Sequence, residues 1–362
     1  MVDADFAAGE YLFGFCDLAF SEYSFRQIDY RKTSQLISNL GAKAVRNWMH
    51  STWLMEKPGL FRKNNVQLMH AIVDDLDSRG FFIIGMNHTN FHETKEGATP
   101  NDLAKLHPND PLFDRWLSDV ELTYYSLAKE FPSIRFWEID NEDNSDVFCF
   151  ANDGEKMPFE EKVEVYLSFL YFASRGIHRA NPANTTILGG LVAADAESFL
   201  AALYSAIRTS PFSQNPDDFF EVANWHPYMD EYSDDAFFEL NERIHRVILQ
   251  YDRSDKAVIF SELGWSEFNV GLDNMALYIE KMYALVQKKM PYVKNIDYFR
   301  IFDELDSTWG SPAEKIYGLF SDPSIRGKSP TKGSPKSGAY AYQRSAGGKG
   351  SLSLLEKTVN EE

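Results

Sequence analysis

The run RFWEIDNEDN, Arg135 to Asn144, starts as an apolar stretch and then sets four carboxylates and two amides within seven residues. Crowded acids and apolar walls raise the pKa of a carboxyl until it can donate a proton near neutrality, and Glu142 lies among Glu138, Asp140 and Asp143. A second glutamate, Glu262 in FSELGW, follows a purely apolar run instead. Arg46 and Tyr228 are the groups that could serve it, because a guanidinium and a phenol beside a carboxyl keep it ionised. One carboxyl that donates and one that stays charged form a pair with divided roles, provided that the fold brings them together.

The elements that must do so recur along the chain. Short apolar runs alternate with longer segments of helical periodicity: YLFGF (11 to 15), AKAVRNW (42 to 48), FFIIGM (81 to 86), IRFWEI (134 to 139), TTILGG, FFEVANW, AVIF and YFRIF. Between them Val66, Met69, Ile72, Val73 and Leu76 line one helical face that stops at Gly80. Met275, Tyr278, Ile279, Met282, Leu285 and Val286 do the same before Pro291. Weaker helical patterns cover Arg31 to Leu40, Pro111 to Lys129, Phe159 to Arg179, Asp195 to Ile207 and Asp234 to Gln250. Eight strand-then-helix units imply parallel strands with right-handed crossovers that close into a (β/α)8 TIM barrel, an α/β fold of one domain. An open doubly wound sheet is the competing architecture, and the single glycine in FGFCDLAF gives it no dinucleotide fingerprint. The barrel is expected over residues 1–346, with 347–362, rich in Gly, Ser and charge, as a flexible tail.

In such a barrel the chemistry sits at the C-terminal strand ends. Those positions hold Arg46-Asn47-Trp48, Asn87-His88, Asn141-Glu142, Trp225-His226-Pro227-Tyr228, Ser261-Glu262 and, after the last strand, Asp303-Glu304. Two glutamates on different strand ends, with basic and aromatic groups converging on them, suit cleavage of an acetal through an oxocarbenium-like transition state. Trp48, Trp137, Trp225, Trp265 and Trp309 lie at or near strand ends, where an indole can stack on a sugar ring, but Trp137, which strand alternation can turn either way, is given no site role. The remaining histidines fall at no metal-ligand spacing, so neither metal nor cofactor is expected. His226 by itself reads more readily as a hydrogen-bonded core histidine, and Tyr228 two residues on is what turns it into a site candidate.

These residues resemble clan A of the glycoside hydrolases, retaining enzymes on (β/α)8 barrels, from about Tyr11 to Tyr342. The resemblance implies that Glu142 is the acid/base, Asn141 a donor to the sugar 2-hydroxyl and Glu262 the nucleophile. It matches Arg46, His226 and Tyr228 to supporting positions, and His88 more weakly. The clan usually ends strand eight in tryptophan, where this sequence has Phe302, with Trp309 as a possible substitute. Asn47, Trp265, Phe302 and Trp309 complete the expected substrate-binding set. Among single families the likeness is to family 39 or family 5, although no segment here is long enough for the β-sandwich that family 39 usually carries.

Composition bounds the partners. The apolar fraction of 44% and aromatic fraction of 15% supply a sizeable core with rings left for a cleft. A formal charge of −18 repels nucleic acid and anionic membranes, so a neutral carbohydrate is the expected partner. Two cysteines and no basic segment before the first apolar run point to a cytoplasmic chain as it stands, or a secreted one had a signal peptide been removed. Hydrolysis of β-linked glycosides leads. Transglycosylation on the same site and a catalytically inactive sugar-binding barrel remain open, whereas an aldolase or isomerase barrel lacks its strand-end lysine or phosphate loop.

Overall fold

The computed structural model describes residues 11–16, 30–94, 97–101, 103–305, 311–321 and 333–353. Eight parallel strands close into a barrel: β1 (Phe13–Cys16), β2 (Ala44–Trp48), β3 (Phe82–Asn87), β4 (Phe136–Asn141), β5 (Thr185–Val192), β6 (Ala223–His226), β7 (Val258–Leu263) and β8 (Val293–Tyr298). Each pairs with its sequence neighbours, and β8 closes on β1 through Phe13 opposite Ile296. Seven helices return the chain between or after the strands: α1 (Tyr30–Leu40), α2 (Lys63–Ser78), α3 (Phe113–Glu130), α4 (Phe159–Ala180), α5 (Ala193–Ile207), α6 (Asp234–Tyr251) and α7 (Glu267–Lys289). A last helix, α8 (Ser337–Ala346), follows β8. No helix among the described residues is long and apolar enough to cross a membrane.

The expected helices form where periodicity puts them. Met69, Ile72, Val73 and Leu76 are buried on α2, which ends as expected at Gly80, whose φ of 75° lets its N–H reach Asp77. Strand eight is the correction. Of the apolar run YFRIF only Tyr298 belongs to the strand; β8 is VKNIDY, six residues that include Asn295 and Asp297, both buried. An apolarity criterion slides past them because the middle of this barrel is polar.

The barrel interior is layered. Ile84, Phe136, Ile187, Val222, Ala257 and Ile259 pack as a separate apolar plug. Above it lie Arg46, Glu138, Asn224 and Ser261, all fully buried. The larger core fills the space between strands and helices.

Two helix tyrosines splice the sheet where β4 prepares to leave it. The Tyr124 hydroxyl of α3 donates to the Asn87 carbonyl at 2.6 Å and accepts from Asp140 N at 3.2 Å, bridging β3 and β4. The Tyr166 hydroxyl of α4 donates to Ile139 O at 3.0 Å and accepts from Gly189 N at 2.8 Å, bridging β4 and β5. Ordered packing also runs past residue 346. Asn39 donates to Ser351 O at 2.8 Å and Leu352 is buried, while the rest of the expected tail, 354–362, lies outside the described residues.

α3 and α4 meet closely at Gly176, where a β-carbon would overlap the carbonyl oxygen of Glu121. Gly176→Ala is therefore expected to destabilise the fold by about 1–3 kcal/mol, the usual cost of overpacking, despite alanine's better helix propensity. A thermal midpoint equal to or above that of the wild type would contradict this close approach.

Candidate active site

The site grows from Arg46, which β2 buries completely inside the barrel. Its Nε donates to Glu138 Oε2 at 2.6 Å and its Nη2 to Glu138 Oε1 and Asn141 Oδ1, both at 2.7 Å. Nη1 donates to Glu262 Oε1 at 2.5 Å and to the Cys16 sulfur at 3.3 Å. All five guanidinium protons are thereby used. The Tyr228 hydroxyl donates to the other Glu262 oxygen at 3.1 Å. Burial by itself pushes the Glu262 carboxyl up, but His226, the Arg46 charge and the hydrogen bonds from Arg46 and Tyr228 outweigh it and hold it below the ordinary carboxylate value.

Glu262 faces inward because of an irregularity in β7. Phe260 opposes Ile296 and Leu263 opposes Tyr298, so three steps on β7 match two on β8. The extra residue breaks the alternation of side chains. Ser261, bonded to Glu138, and Glu262, bonded to Arg46, consequently both point into the barrel.

The acidic run at the end of β4 is divided rather than pooled. Glu138 belongs to Arg46. Asp140 and Asp143 turn to a buried lysine from the loop after β3, with Lys105 Nζ at 3.1 Å from Asp140 and 2.7 Å from Asp143. Burial alone would lower the Lys105 pKa, but the two aspartates reverse this and keep it charged. Burial pushes both aspartates up, and Asp140 pushes Asp143 further. Only Glu142 remains at the cleft, so the expected crowd of acids around it is not present: its Oε1 lies 2.8 Å from His226 Nδ1. Asp140 and Glu142 have φ of 70° and 52°, a left-handed backbone that costs non-glycine residues on the order of 1–3 kcal/mol each. Lys105, the two tyrosine hydroxyls and the Glu142 N–H bond to Gly190 O at 2.9 Å hold that backbone in place.

Arg46, Asn141, Glu142, His226, Tyr228 and Glu262 thus come together, whereas other expected members do not. Asn47 points out of the barrel, its Nδ2 against the sulfurs of Met49 and Met69, as alternation beside the inward Arg46 requires. Trp265 is buried and donates to Met229 O at 2.7 Å, bracing the loop that carries Tyr228 rather than lining the cleft. Phe302 is also buried, against Phe320, because β8 ends four residues earlier than expected. Phe299 follows β8 instead, half-buried, with its ring 5.7 Å from Tyr317, which in turn lies 5.9 Å from Tyr228. Trp309 lies outside the described residues. His88 is buried in an aromatic wall, stacked on His50 at 4.7 Å and edge-on to Trp48 at 5.0 Å. Burial and the neighbouring cations lower its pKa well below the ordinary histidine value, so it is neutral.

Sequence reasoning missed Cys16, Lys105, Asn224, Ser261 and Tyr317. Only Ser261 carried a signal, as the residue before Glu262. Glu142, His226 and Glu262 bring three possible metal donors within 4.8 Å of one another. Arg46 already supplies the positive charge that Glu262 needs, so the arrangement suits proton transfer better than metal binding.

No family model and no curated protein matches the sequence. Solved structures do match in fold. A family 39 glycoside hydrolase from the gut symbiont Bacteroides cellulosilyticus aligns over 98% of this chain with a TM-score of 0.64 and 18% identity. A GH5_18 enzyme from Bifidobacterium longum subsp. longum, solved in complex with Manβ1-4GlcNAc, aligns over 93% with a TM-score of 0.65 and 13% identity. A monomeric β-xylosidase from Caulobacter crescentus aligns over 93% with a TM-score of 0.61 and 15% identity. The chain spans 65% of the length of the family 39 structure, 77% of the GH5_18 structure and 68% of the xylosidase structure. The fold is therefore the (β/α)8 barrel shared by these glycoside hydrolases.

Lys105→Met should destabilise the protein by about 3–5 kcal/mol, because it strands two buried carboxylates without their cation. The loss should shrink as the pH falls from 8 to 5, since protonation then neutralises what Lys105 neutralised. Denaturation at both pH values checks this, and a loss independent of pH would contradict it.

Proposed function

We propose that this protein is a retaining glycoside hydrolase acting on neutral β-linked glycosides. The observation that carries the reading is the pairing of Glu262, held ionised by Arg46 and Tyr228, with Glu142, bound to His226, on strand ends that face each other. Donor oxygens of the two glutamates lie within 4.8 Å. Oxygens this near are compatible with the roughly 5–5.5 Å between carboxyl groups that direct displacement uses.

In the first step Glu262 attacks the anomeric carbon while Glu142 gives its proton to the departing oxygen, leaving a covalent glycosyl-enzyme and a Glu142 carboxylate. In the second step Glu142 takes a proton from water, whose oxygen displaces Glu262. Arg46 fixes the Asn141 amide by holding Oδ1, which leaves its nitrogen to donate to a sugar hydroxyl. Trp48, half-buried beside His88, and the pair Phe299 and Tyr317 offer ring faces for the sugar. The β configuration draws support from the Manβ1-4GlcNAc bound by the GH5_18 enzyme and from the named activity of the xylosidase.

Azide distinguishes the two roles. With an activated aryl β-glycoside, Glu262→Ala should yield an α-glycosyl azide, because azide enters the vacated nucleophile position. Glu142→Ala should yield the β-azide, formed from the covalent intermediate. The same product from both variants would sink the assignment.

The pH profile offers a second check. Removing a donor from Glu262 raises its pKa, so the acidic limb of kcat/KM should move to higher pH in Tyr228→Phe. An unmoved or lowered acidic limb would show that Tyr228 does not hold the charge on Glu262.

A further inference from the structure

Glu142 and Glu262 are joined through the barrel interior as well as across the cleft, and the donors and acceptors along that path can be assigned one by one. Asn224 Oδ1 accepts from the backbone N–H of Ser261 at 3.1 Å, which fixes the orientation of the amide. Asn224 Nδ2 must then donate, to Ser261 Oγ at 2.8 Å and to Glu138 Oε1 at 3.0 Å. Glu138 Oε1 also receives Arg46 Nη2 at 2.7 Å and the Gly190 N–H at 3.1 Å, and Oε2 receives Arg46 Nε. Every neighbour of Glu138 on this side is a donor, so its oxygens act only as acceptors.

The Ser261 hydroxyl has one proton and two candidate acceptors, Glu138 Oε1 and His226 Nε2, each at 3.0 Å. A carboxylate is the stronger acceptor because it is charged. The Ser261 proton therefore goes to Glu138, and its oxygen, which accepts from Asn224, has a second lone pair turned to His226.

From this we infer that Ser261 and Glu138 are positioning residues that lock a proton on His226 Nε2, so that Nδ1 shares the single acid proton of Glu142. The acid is then a Glu142–His226 pair across 2.8 Å, not a lone carboxyl. When that proton leaves for the glycosidic oxygen, the Glu142 carboxylate faces a bare Nδ1, two acceptors in contact. The mismatch is relieved when Glu142 regains a proton from water in the second step. Proton count balances: one is lost to the leaving group and one is recovered from water, while the Nε2 proton never moves. Glu262, at 4.0 Å from Nδ1, lies outside hydrogen-bond reach and does not compete for it.

The kinetic part of this inference rests on the glycosidase reading, whereas the tautomer does not. The first measurement is the ¹⁵N spectrum of histidine-labelled wild-type protein, with the His226 signals identified by their loss in His226→Gln. Nε2 should be protonated throughout the folded pH range. A neutral ring protonated on Nδ1 with Nε2 bare would overturn the inference without reference to any substrate.

The second is Ser261→Ala, which removes the acceptor and should shift His226 to the Nδ1-protonated tautomer. Loss of kcat/KM should be at least about tenfold greater for an alkyl glycoside, whose leaving group needs a proton, than for a dinitrophenyl glycoside, whose leaving group does not. Equal losses on both substrates would mean that Ser261 only supports the fold and would overturn its role as the lock. If the wild type cleaves neither glycoside, the glycosidase reading fails while the spectrum still decides the tautomer. Should Ser261→Ala not fold, Ser261→Cys tests the same lock: a thiol sulfur is a much weaker acceptor than a hydroxyl oxygen and should shift His226 in the same direction, and an unchanged His226 spectrum in that variant would refute it.

Discussion

One buried guanidinium organises this protein. Arg46 stands inside the barrel with no exposure to solvent and gives each of its five protons to a different acceptor position, on Glu138, Glu262, Asn141 and Cys16. A cation so placed costs several kcal/mol of desolvation unless carboxylates surround it. Strands that do not adjoin β2 supply them across the barrel interior, one from β4 and one from β7. Charge neutrality in a low-dielectric interior thus decides which glutamate stays ionised.

A second buried cation resolves the rest of the acidic run. Lys105 takes Asp140 and Asp143, and the left-handed backbone at residues 140 and 142 turns the side chains to different sides. Four carboxylates adjacent in sequence therefore enter three environments: a salt bridge at the barrel centre, a structural ion pair beneath the loop, and the open cleft. The strain of that turn is maintained by Tyr124 and Tyr166, whose hydroxyls stand in for ladder hydrogen bonds between neighbouring strands. A strained acid carrier held by rigid helices keeps Glu142 fixed against His226 without burying it.

Some of this was legible from residue order. The alternation of apolar runs with helical periodicity gave the barrel and seven of its eight strands, because both periods follow from backbone geometry and need no tertiary information. The eighth failed for a physical reason: Asn295 and Asp297 make β8 polar in the layer where the barrel interior is polar. The same displacement put Phe302 in place of Phe299 next to the cleft. Trp265 was misplaced because an indole near a strand end packs equally well under a loop as over a sugar.

What the chain determined by itself is the set of strand ends and the residue types on them, Arg46, Asn141, Glu142, His226, Tyr228 and Glu262, since their order along the sequence is their order around the barrel. Only the tertiary structure decided their facing and their partners. An extra residue in β7 puts Ser261 and Glu262 on the same side, strict alternation in β2 sends Asn47 outward, and Lys105, some thirty-five residues before Asp140, removes two acids from the site. These outcomes depend on register and on long-range electrostatics, and no local pattern encodes either, because a one-residue shift leaves composition unchanged while it reverses the face of every side chain.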